Sequence, residues 1–166
     1  MRRARGPEKF SAERSGVRFD SDIEENLTKL EKGIKEKILR SAAYAGARVF
    51  YSLMKTKAPV DDGVLSSSIY HWHDEKRSRP TYQEYAIGPN KVKAPHWHQV
   101  EFGHWRINYG VYRNGEWIPS KRRLPAPKWV PASPYVRPTW AQGKEPAKRA
   151  VVERARQRLK EVINDL

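Results

Sequence analysis

Histidines are the residues of this chain best suited to metal or proton chemistry, and four of the five form two His-x-His pairs. The pairs are His71 with His73 and His96 with His98, and Glu101 follows the second pair closely. Alternate residues of a β-strand point to the same face, so each pair would place two imidazoles side by side on a strand. Imidazole and carboxylate groups together can bind a transition metal. The first hypothesis is therefore a His/Glu metalloenzyme on a β scaffold.

The second pair partly matches the His-x-His…Glu ligand arrangement of cupin-type metal sites, with His96, His98 and Glu101 as ligands. The spacing is one or two residues too short, and the glycines that frame such motifs are missing before His96. The alternative is that histidine and aromatic side chains fill one solvent-facing sheet surface. We favour this alternative, and we predict no metal and no other cofactor.

Other catalytic patterns are weaker still. Asp61 and Asp62 lie between Pro59 and Gly63, where they are typical turn residues. The serines at 66–68 lack a Gly-x-Ser-x-Gly elbow, and the chain has neither a phosphate-binding loop nor a Gly-x-Gly-x-x-Gly motif. The absence of cysteine excludes thiol catalysis, disulfides and cysteine-ligated metal. We predict that the protein is not an enzyme.

The net charge of +14 is divided unevenly along the 166 residues. Residues 1–19 carry +4, residues 20–57 carry +2, residues 58–120 are neutral and residues 121–166 carry +8. A positive field of this kind suits nucleic acid, an acidic protein partner, or solubility alone. The candidate contacts to DNA or to an acidic partner are the basic clusters near the two ends: Arg2, Arg3, Arg5, Lys121, Arg122 and Arg123.

Apolar residues make up only 38% of the chain, and no apolar run approaches the length of a membrane span. The basic start has no apolar stretch behind it, unlike a secretory signal. We therefore predict a soluble intracellular protein without a membrane partner. Its length fits one domain.

The chain begins with a polar, aperiodic segment, which we interpret as a flexible basic arm over residues 1–20. A capping box from Ser21 to Glu24 then opens an amphipathic helix that must end near Lys57, because Pro59 disfavours helical geometry before it. Gly33 and Gly46 predict either a kink in this helix or close packing against a sheet.

Strand-like sequence follows between residues 69 and 118. Residues 69–73, 82–87, 97–102 and 106–112 are rich in aromatic and β-branched side chains, and Asn114-Gly115 is a strong signal for a two-residue hairpin. Six of the twelve prolines fall in residues 119–138, which predicts a stiff, extended loop rather than a central strand. An apolar stripe from Ala147 to Leu166 predicts a closing helix.

These elements predict an α+β fold over residues 21–166. A long N-terminal helix packs on a small, mostly antiparallel sheet of four or five strands, and a second helix closes the chain. The hairpin and the proline-rich loop form an insert at about residues 105–138.

Three short motifs, in this order between the two helices, resemble the tail-completion (neck, minor tail protein Z-like) proteins of long-tailed bacteriophages. The first is Ala-Pro followed by Gly-x-Leu-x-x-Ser-Ile, the second is Glu-Phe-Gly, and the third is Pro-aromatic-x-x-Pro before the last helix. The residues that carry the resemblance are Ala58, Pro59, Gly63, Leu65, Ser68, Ile69, Glu101, Phe102, Gly103, Pro134 and Pro138.

Each motif also has an expected physical role. Gly63 would allow a tight turn, and Leu65 would anchor the next segment to the long helix. Glu101-Phe102-Gly103 would end a strand with a buried ring and a flexible joint. Pro134 and Pro138 would hold an extended segment rigid for docking on a neighbour.

The resemblance implies a structural virion protein, assembled in the host cytoplasm and located at the head–tail junction. Such a protein would form a homo-oligomeric ring, expected to be a hexamer, that completes the tail. It would join head-side connector or stopper proteins to a tail terminator or tail-tube protein, with non-specific contact to genomic DNA. The main alternative is a nucleic-acid-binding module that uses basic termini and exposed aromatic residues.

Overall fold

A computed structural model describes residues 32–60, 63–113 and 116–164. It contains four helices and four strands in this part of the chain. They are α1 (Lys32–Lys57), α2 (Val64–Ser68), β1 (Ile69–His73), β2 (Tyr85–Pro89), α3 (Trp97–Phe102), β3 (His104–Arg113), β4 (Glu116–Val130) and α4 (Val136–Asn164). The α+β prediction is confirmed. The predicted basic arm and the capping box at Ser21 lie outside the described residues.

The two long helices pack antiparallel along their length. Ile38, near the start of α1, packs with Leu159 near the end of α4, and Ala42 packs with Val151 and Ala155 one turn further on. A methyl group added at Gly46 would approach a methyl carbon of Val151 to 2.6 Å. Gly46 is therefore a site of close packing, as predicted, although the neighbour is a helix and not a sheet.

Helix α4 begins at Val136, eleven residues before the apolar stripe that predicted it and just inside the predicted proline-rich loop. Buried residues recur at every fourth position of α4, and Pro146 does not interrupt the series. They are Thr139, Gly143, Ala147, Val151, Ala155 and Leu159. Pro138 stands in the first helical turn, where a missing backbone N–H costs nothing. The predicted extended conformation at Pro138 is wrong for this reason.

The four described strands form two antiparallel pairs, where one sheet was predicted. Strands β1 and β2 pair from Ile69–Pro89 to His73–Tyr85 and lie against α1. Strands β3 and β4 form a separate long ribbon, with Arg113 opposite Glu116, so the hairpin is confirmed; residues 114–115 themselves lie outside the described residues. The described helices include none long and apolar enough to cross a membrane.

Two predicted elements differ from the structure. Residues 97–102 are helical, because Trp97, Val100 and Glu101 face inward at helical spacing while Phe102 faces solvent. Residues 119–130 of the proline-rich segment belong to strand β4 and not to the predicted loop. In a two-stranded ribbon both strands are edges, so prolines can be accommodated, and register shifts on either side of Asn108 absorb the extra residues of β4.

Candidate functional site

A buried glutamate joins the ribbon to the start of α4. Helix α3 places Glu101 against the core with 1% of its surface exposed. One carboxylate oxygen accepts hydrogen bonds from the backbone N–H groups of Tyr135 at 2.7 Å and Val136 at 2.9 Å. The other accepts from the backbone N–H and from the Nε of Arg137, both at 3.2 Å. Glu101 thus caps a helix that begins 35 residues later, and its negative charge lies at the positive end of the helix dipole.

Arg137 covers this carboxylate from the solvent side. Its Nη2 also donates to the backbone carbonyl oxygen of Glu101 at 3.4 Å, and its guanidinium lies 5.4 Å from the centre of the Phe102 ring. Phe102 is 45% exposed. Two predictions for the Glu101-Phe102-Gly103 motif are therefore wrong. The motif ends a helix and not a strand, and the buried side chain is that of Glu101, while the Phe102 ring is exposed.

Gly103 turns the chain from α3 into the ribbon. Its backbone, at φ 73° and ψ 167°, lies in a region that only glycine occupies readily. A Cβ at this position would come within 2.7 Å of the Trp129 ring and 2.8 Å of the Val130 carbonyl oxygen. The N–H of Ser133 donates to the carbonyl of Val100 at 2.8 Å. Both strands of the ribbon are therefore fixed where they leave the body of the protein, beside Glu101. We call this point of attachment the root of the ribbon.

The ribbon exposes an apolar face. Along β3 the side chains alternate, with Trp105, Ile107, Tyr109 and Val111 exposed and the intervening His104, Arg106, Asn108 and Gly110 half-buried. Across the ribbon, Trp105 lies opposite Trp129 with ring centres 5.2 Å apart, and Val111 lies opposite Ile118. We define the ribbon face by its exposed apolar members: Trp105, Ile107, Tyr109, Val111, Ile118 and Trp129.

This exposure is unusual for an apolar row. Five of the six side chains are 46–60% exposed, and the ribbon makes little contact with any other described helix or strand. A contiguous apolar patch on the surface marks an interaction site, and an isolated two-stranded ribbon is marginally stable in water. The ribbon face is therefore the strongest candidate for a docking surface. The alternation of apolar and polar residues at 105–111 is visible in the sequence, but the same pattern is typical of a strand with one face buried in the core.

The ribbon also carries positive charge. Residues 104–130 contain six basic side chains and one acidic side chain. The predicted contacts Lys121, Arg122 and Arg123 are all exposed on β4, and the Arg122 guanidinium lies 5.2 Å from the centre of the Tyr109 ring. The other predicted contacts, Arg2, Arg3 and Arg5, lie outside the described residues.

The first family motif forms the core beneath this root. Gly63 has a positive φ of 77° and precedes α2, as expected for a tight turn. Ala58, Leu65 and Ile69 are buried together with Met54 of α1, while Pro59 is half-buried just after α1. The buried Ser68 hydroxyl donates to the Leu65 carbonyl at 2.7 Å.

The third motif enters the same core through Tyr135, which is fully buried with Leu65 and Ile69. Pro134 is exposed just before it. The three motifs, separated by up to 80 residues in the chain, therefore meet around Tyr135 and Glu101. The prediction did not single out Tyr135, although it is the aromatic residue within the third motif.

The histidine pairs do not form a common site. His71 packs edge-on between the rings of Tyr44 and Tyr51, and His73 Nε2 lies 2.8 Å from Gln83 Oε1 and 3.0 Å from Ser78 Oγ. Glu101 is turned into the core, away from a ligand set with His96 and His98. In the described ranges no group of three His, Cys, Asp or Glu side chains is arranged to hold a metal ion.

Comparison with protein families gives one match. Residues 21–103, half of the chain, match the HK97-gp10-like family, described as "Bacteriophage HK97-gp10, putative tail-component". The chain belongs to this family. No curated protein and no solved structure showed significant similarity.

Membership of the HK97-gp10-like family makes the chain a phage tail-related structural protein. It supports a location in the virion and contacts with other virion proteins, and it favours structure over catalysis. The match ends at Gly103, so this HK97-gp10-like protein carries its ribbon and α4 after the matched region.

Tyr135 makes the stability of this HK97-gp10-like protein sensitive to alkali. Burial, and then the nearby Glu101 charge, raise the pKa of Tyr135 from 10.0 to about 12, and its hydroxyl has no hydrogen-bond partner among the described residues. An unfolded tyrosine ionises at about pH 10, so this contribution to folding is complete below pH 10 and is lost as the pH rises towards 12.

We expect Tyr135→Phe to be at least as stable as the wild type below pH 10, because an unpaired buried hydroxyl is removed. Above pH 10 the stability of the variant should exceed that of the wild type by a margin that grows as the pH rises. Urea midpoints of both proteins, measured from about pH 8 to pH 11.5, give this difference, since the other titrating groups are common to both. A constant difference across the range would contradict the prediction.

Proposed function

We propose that this protein completes the phage tail and joins it to the head-side connector as a ring at the head–tail junction. Family membership supplies the coarse role of a tail component. The order of the three motifs resembles tail-completion, Z-like proteins and supports the finer assignment. In this proposal the protein is assembled in the host cytoplasm, and residues 21–166 form one domain behind a basic arm.

The observation that carries the proposal is the ribbon face on its fixed root. Large apolar side chains at 46–60% exposure are costly for a free monomer and are useful in an assembled one. Glu101 and Gly103 fix the direction of the ribbon, so less conformational entropy is lost when it docks on a neighbour. An exposed apolar face with a fixed direction suits binding to another protein better than it suits catalysis.

The proposed ring is a homo-oligomer, with a hexamer as the family-based expectation. One of its faces would contact head-side connector or stopper proteins, and the other the tail terminator or tail-tube protein. Identical subunits form a ring when contacts between two different patches are closed by rotation.

The basic residues have two possible roles in such a ring. Exposed Lys121, Arg122 and Arg123 could lie near genomic DNA, where phosphates attract positive charge without base readout. They could instead contact acidic surfaces of neighbouring virion proteins. The nucleic-acid-binding alternative predicts tight binding of free DNA or RNA with a steep salt dependence, whereas an assembly protein should bind weakly as a monomer.

The proposal is tested in a phage that carries this gene. Without the gene product, we expect filled heads and separate tails that do not join, and supplying the protein in trans should restore infectious particles. Electron microscopy of lysates and negative-stain imaging of the purified protein give the two measurements. Normal joined particles in the absence of the protein would overturn the proposal.

A further inference from the structure

A second exposed apolar surface lies on β1, away from the ribbon. Tyr70 and Trp72 point outward from this strand, are each 41% exposed, and stack with ring centres 4.8 Å apart. Their partners on β2 are the small residues Gly88 and Ala86, so the two rings stand above the strand beside them. We call the surface formed by these four residues the aromatic face.

A ring made of identical subunits needs two different complementary patches on each copy. We propose that the ribbon face of one copy packs on the aromatic face of the next copy. This inference rests on the proposed ring and specifies its subunit interface. The first patch is on a projecting arm and the second is on the body, an arrangement suited to head-to-tail contact.

A basic ribbon meets less charge repulsion at the aromatic face than at the outer side of α4. The ribbon is basic, with six positive side chains against one negative in residues 104–130. The outer side of α4 is also basic, with Lys148, Arg149 and Arg156 exposed, and would repel it. Residues 69–89, in contrast, contain three acidic and three basic side chains. Within residues 69–89, Arg77 forms ion pairs with Asp74 and Glu84.

The apolar side chains also favour a protein partner over DNA at this face. Ile107, Val111 and Ile118 gain by leaving water for another apolar surface, which a phosphate backbone does not offer. Apolar side chains surrounded by charged ones are the usual composition of a protein interface. The basic side chains on β4 remain at its rim.

Complementary variants test the head-to-tail geometry. Ile107→Asp disables the ribbon face and leaves the aromatic face intact, and Trp72→Asp does the reverse. Both side chains are solvent-exposed in the isolated chain, so both variants should fold, which circular dichroism and thermal melts check. Each change should weaken self-association by roughly 30-fold or more, measured by analytical ultracentrifugation. A 1:1 mixture should form pairs and nothing larger, because only one intact contact joins the two variants.

Cysteine cross-linking locates the contact directly, since the native chain has no cysteine. Ile107→Cys mixed with Tyr70→Cys should give a covalent dimer with a short bis-maleimide. Neither variant alone should do so, and Ile107→Cys mixed with Lys160→Cys, on exposed α4 surface, is the matched control. Dimers from Ile107→Cys alone, or with Lys160→Cys, would overturn the inference.

The outcomes separate this inference from the proposed function. If the wild type forms no rings and no oligomers, the proposed ring fails. If the wild type forms rings and both Asp variants also form them, only the interface assignment is wrong. Salt-sensitive binding of duplex DNA that is lost in Ile107→Asp, with rings unchanged, would assign the ribbon face to DNA and would also overturn the inference.

Discussion

Replacing Glu101 with glutamine is expected to lower the free energy of unfolding by about 3 kcal/mol. The carboxylate accepts four hydrogen bonds, from three successive backbone N–H groups and from the Arg137 side chain. A glutamine amide has one acceptor oxygen, and its NH2 group would face donors in place of the other oxygen. The donors that bonded to the replaced oxygen, either the N–H groups of Tyr135 and Val136 or those of Arg137, would then lack a partner. Urea unfolding followed by circular dichroism measures the loss.

Two matched variants separate the buried cap from ordinary surface charge. Arg137→Gln removes the exposed partner, whose side chain is 52% exposed, and keeps the three backbone hydrogen bonds. Glu161→Gln removes a carboxylate that pairs with Arg154 and Arg158 on the surface of α4. Glu161→Gln should cost no more than about 1 kcal/mol, because exposed ion pairs contribute little. Arg137→Gln should cost less than Glu101→Gln, because the three backbone N–H groups still bind the buried carboxylate. Equal losses at Glu101 and Glu161 would contradict a special role for the buried carboxylate.

Replacing Gly103 with alanine is expected to destabilise the protein by about 3 kcal/mol or more, through two additive causes. A side chain is strained at φ 73° and ψ 167°, and its Cβ would meet the Trp129 ring at 2.7 Å and the Val130 carbonyl oxygen at 2.8 Å. Backbone atoms cannot move aside as a flexible side-chain end can. The base of the ribbon must therefore shift, and thermal and urea melts report the cost.

Gly63→Ala is the matched control for Gly103→Ala. Gly63 has a similar positive φ of 77°, with ψ −5° in the milder left-handed region, and a Cβ there would have no atom of the described residues within 4 Å. Only backbone strain remains, so we expect a loss of about 1 kcal/mol. Comparable losses at both glycines would show that strain alone matters and that the close contact with the ribbon does not.

Under the proposed assembly, these two sites would also connect stability to self-association. Glu101 and Gly103 lie on either side of Phe102, and both hold the root of the ribbon. A destabilised root would leave the ribbon free to change direction, so more conformational entropy would be lost on docking. Variants at both sites should therefore lose self-association even at temperatures where they remain folded.

Local patterns were sufficient for many elements of this protein. The spacing of apolar residues and Pro59 predicted where α1 ends, and the aromatic residues at 69–73 predicted β1. The Asn114-Gly115 signal predicted the hairpin between β3 and β4. Each of these depends on interactions within a few residues, which the sequence displays directly. The three motifs pointed to a phage tail protein for a similar reason, because their order along the chain is itself a property of the sequence.

The tertiary structure decided the rest. Residues 97–102 have strand-like side chains, but packing of Trp97 and Val100 into the core and the bonds from Glu101 to α4 make them a helix. Residues 119–130 became a strand because their partner β3 accepts a shifted register and leaves prolines on an edge. Glu101 looked like a metal ligand or a strand end. Its role as a helix cap is set by contacts 34 to 36 residues away, and contacts at that distance have no local signature in the chain.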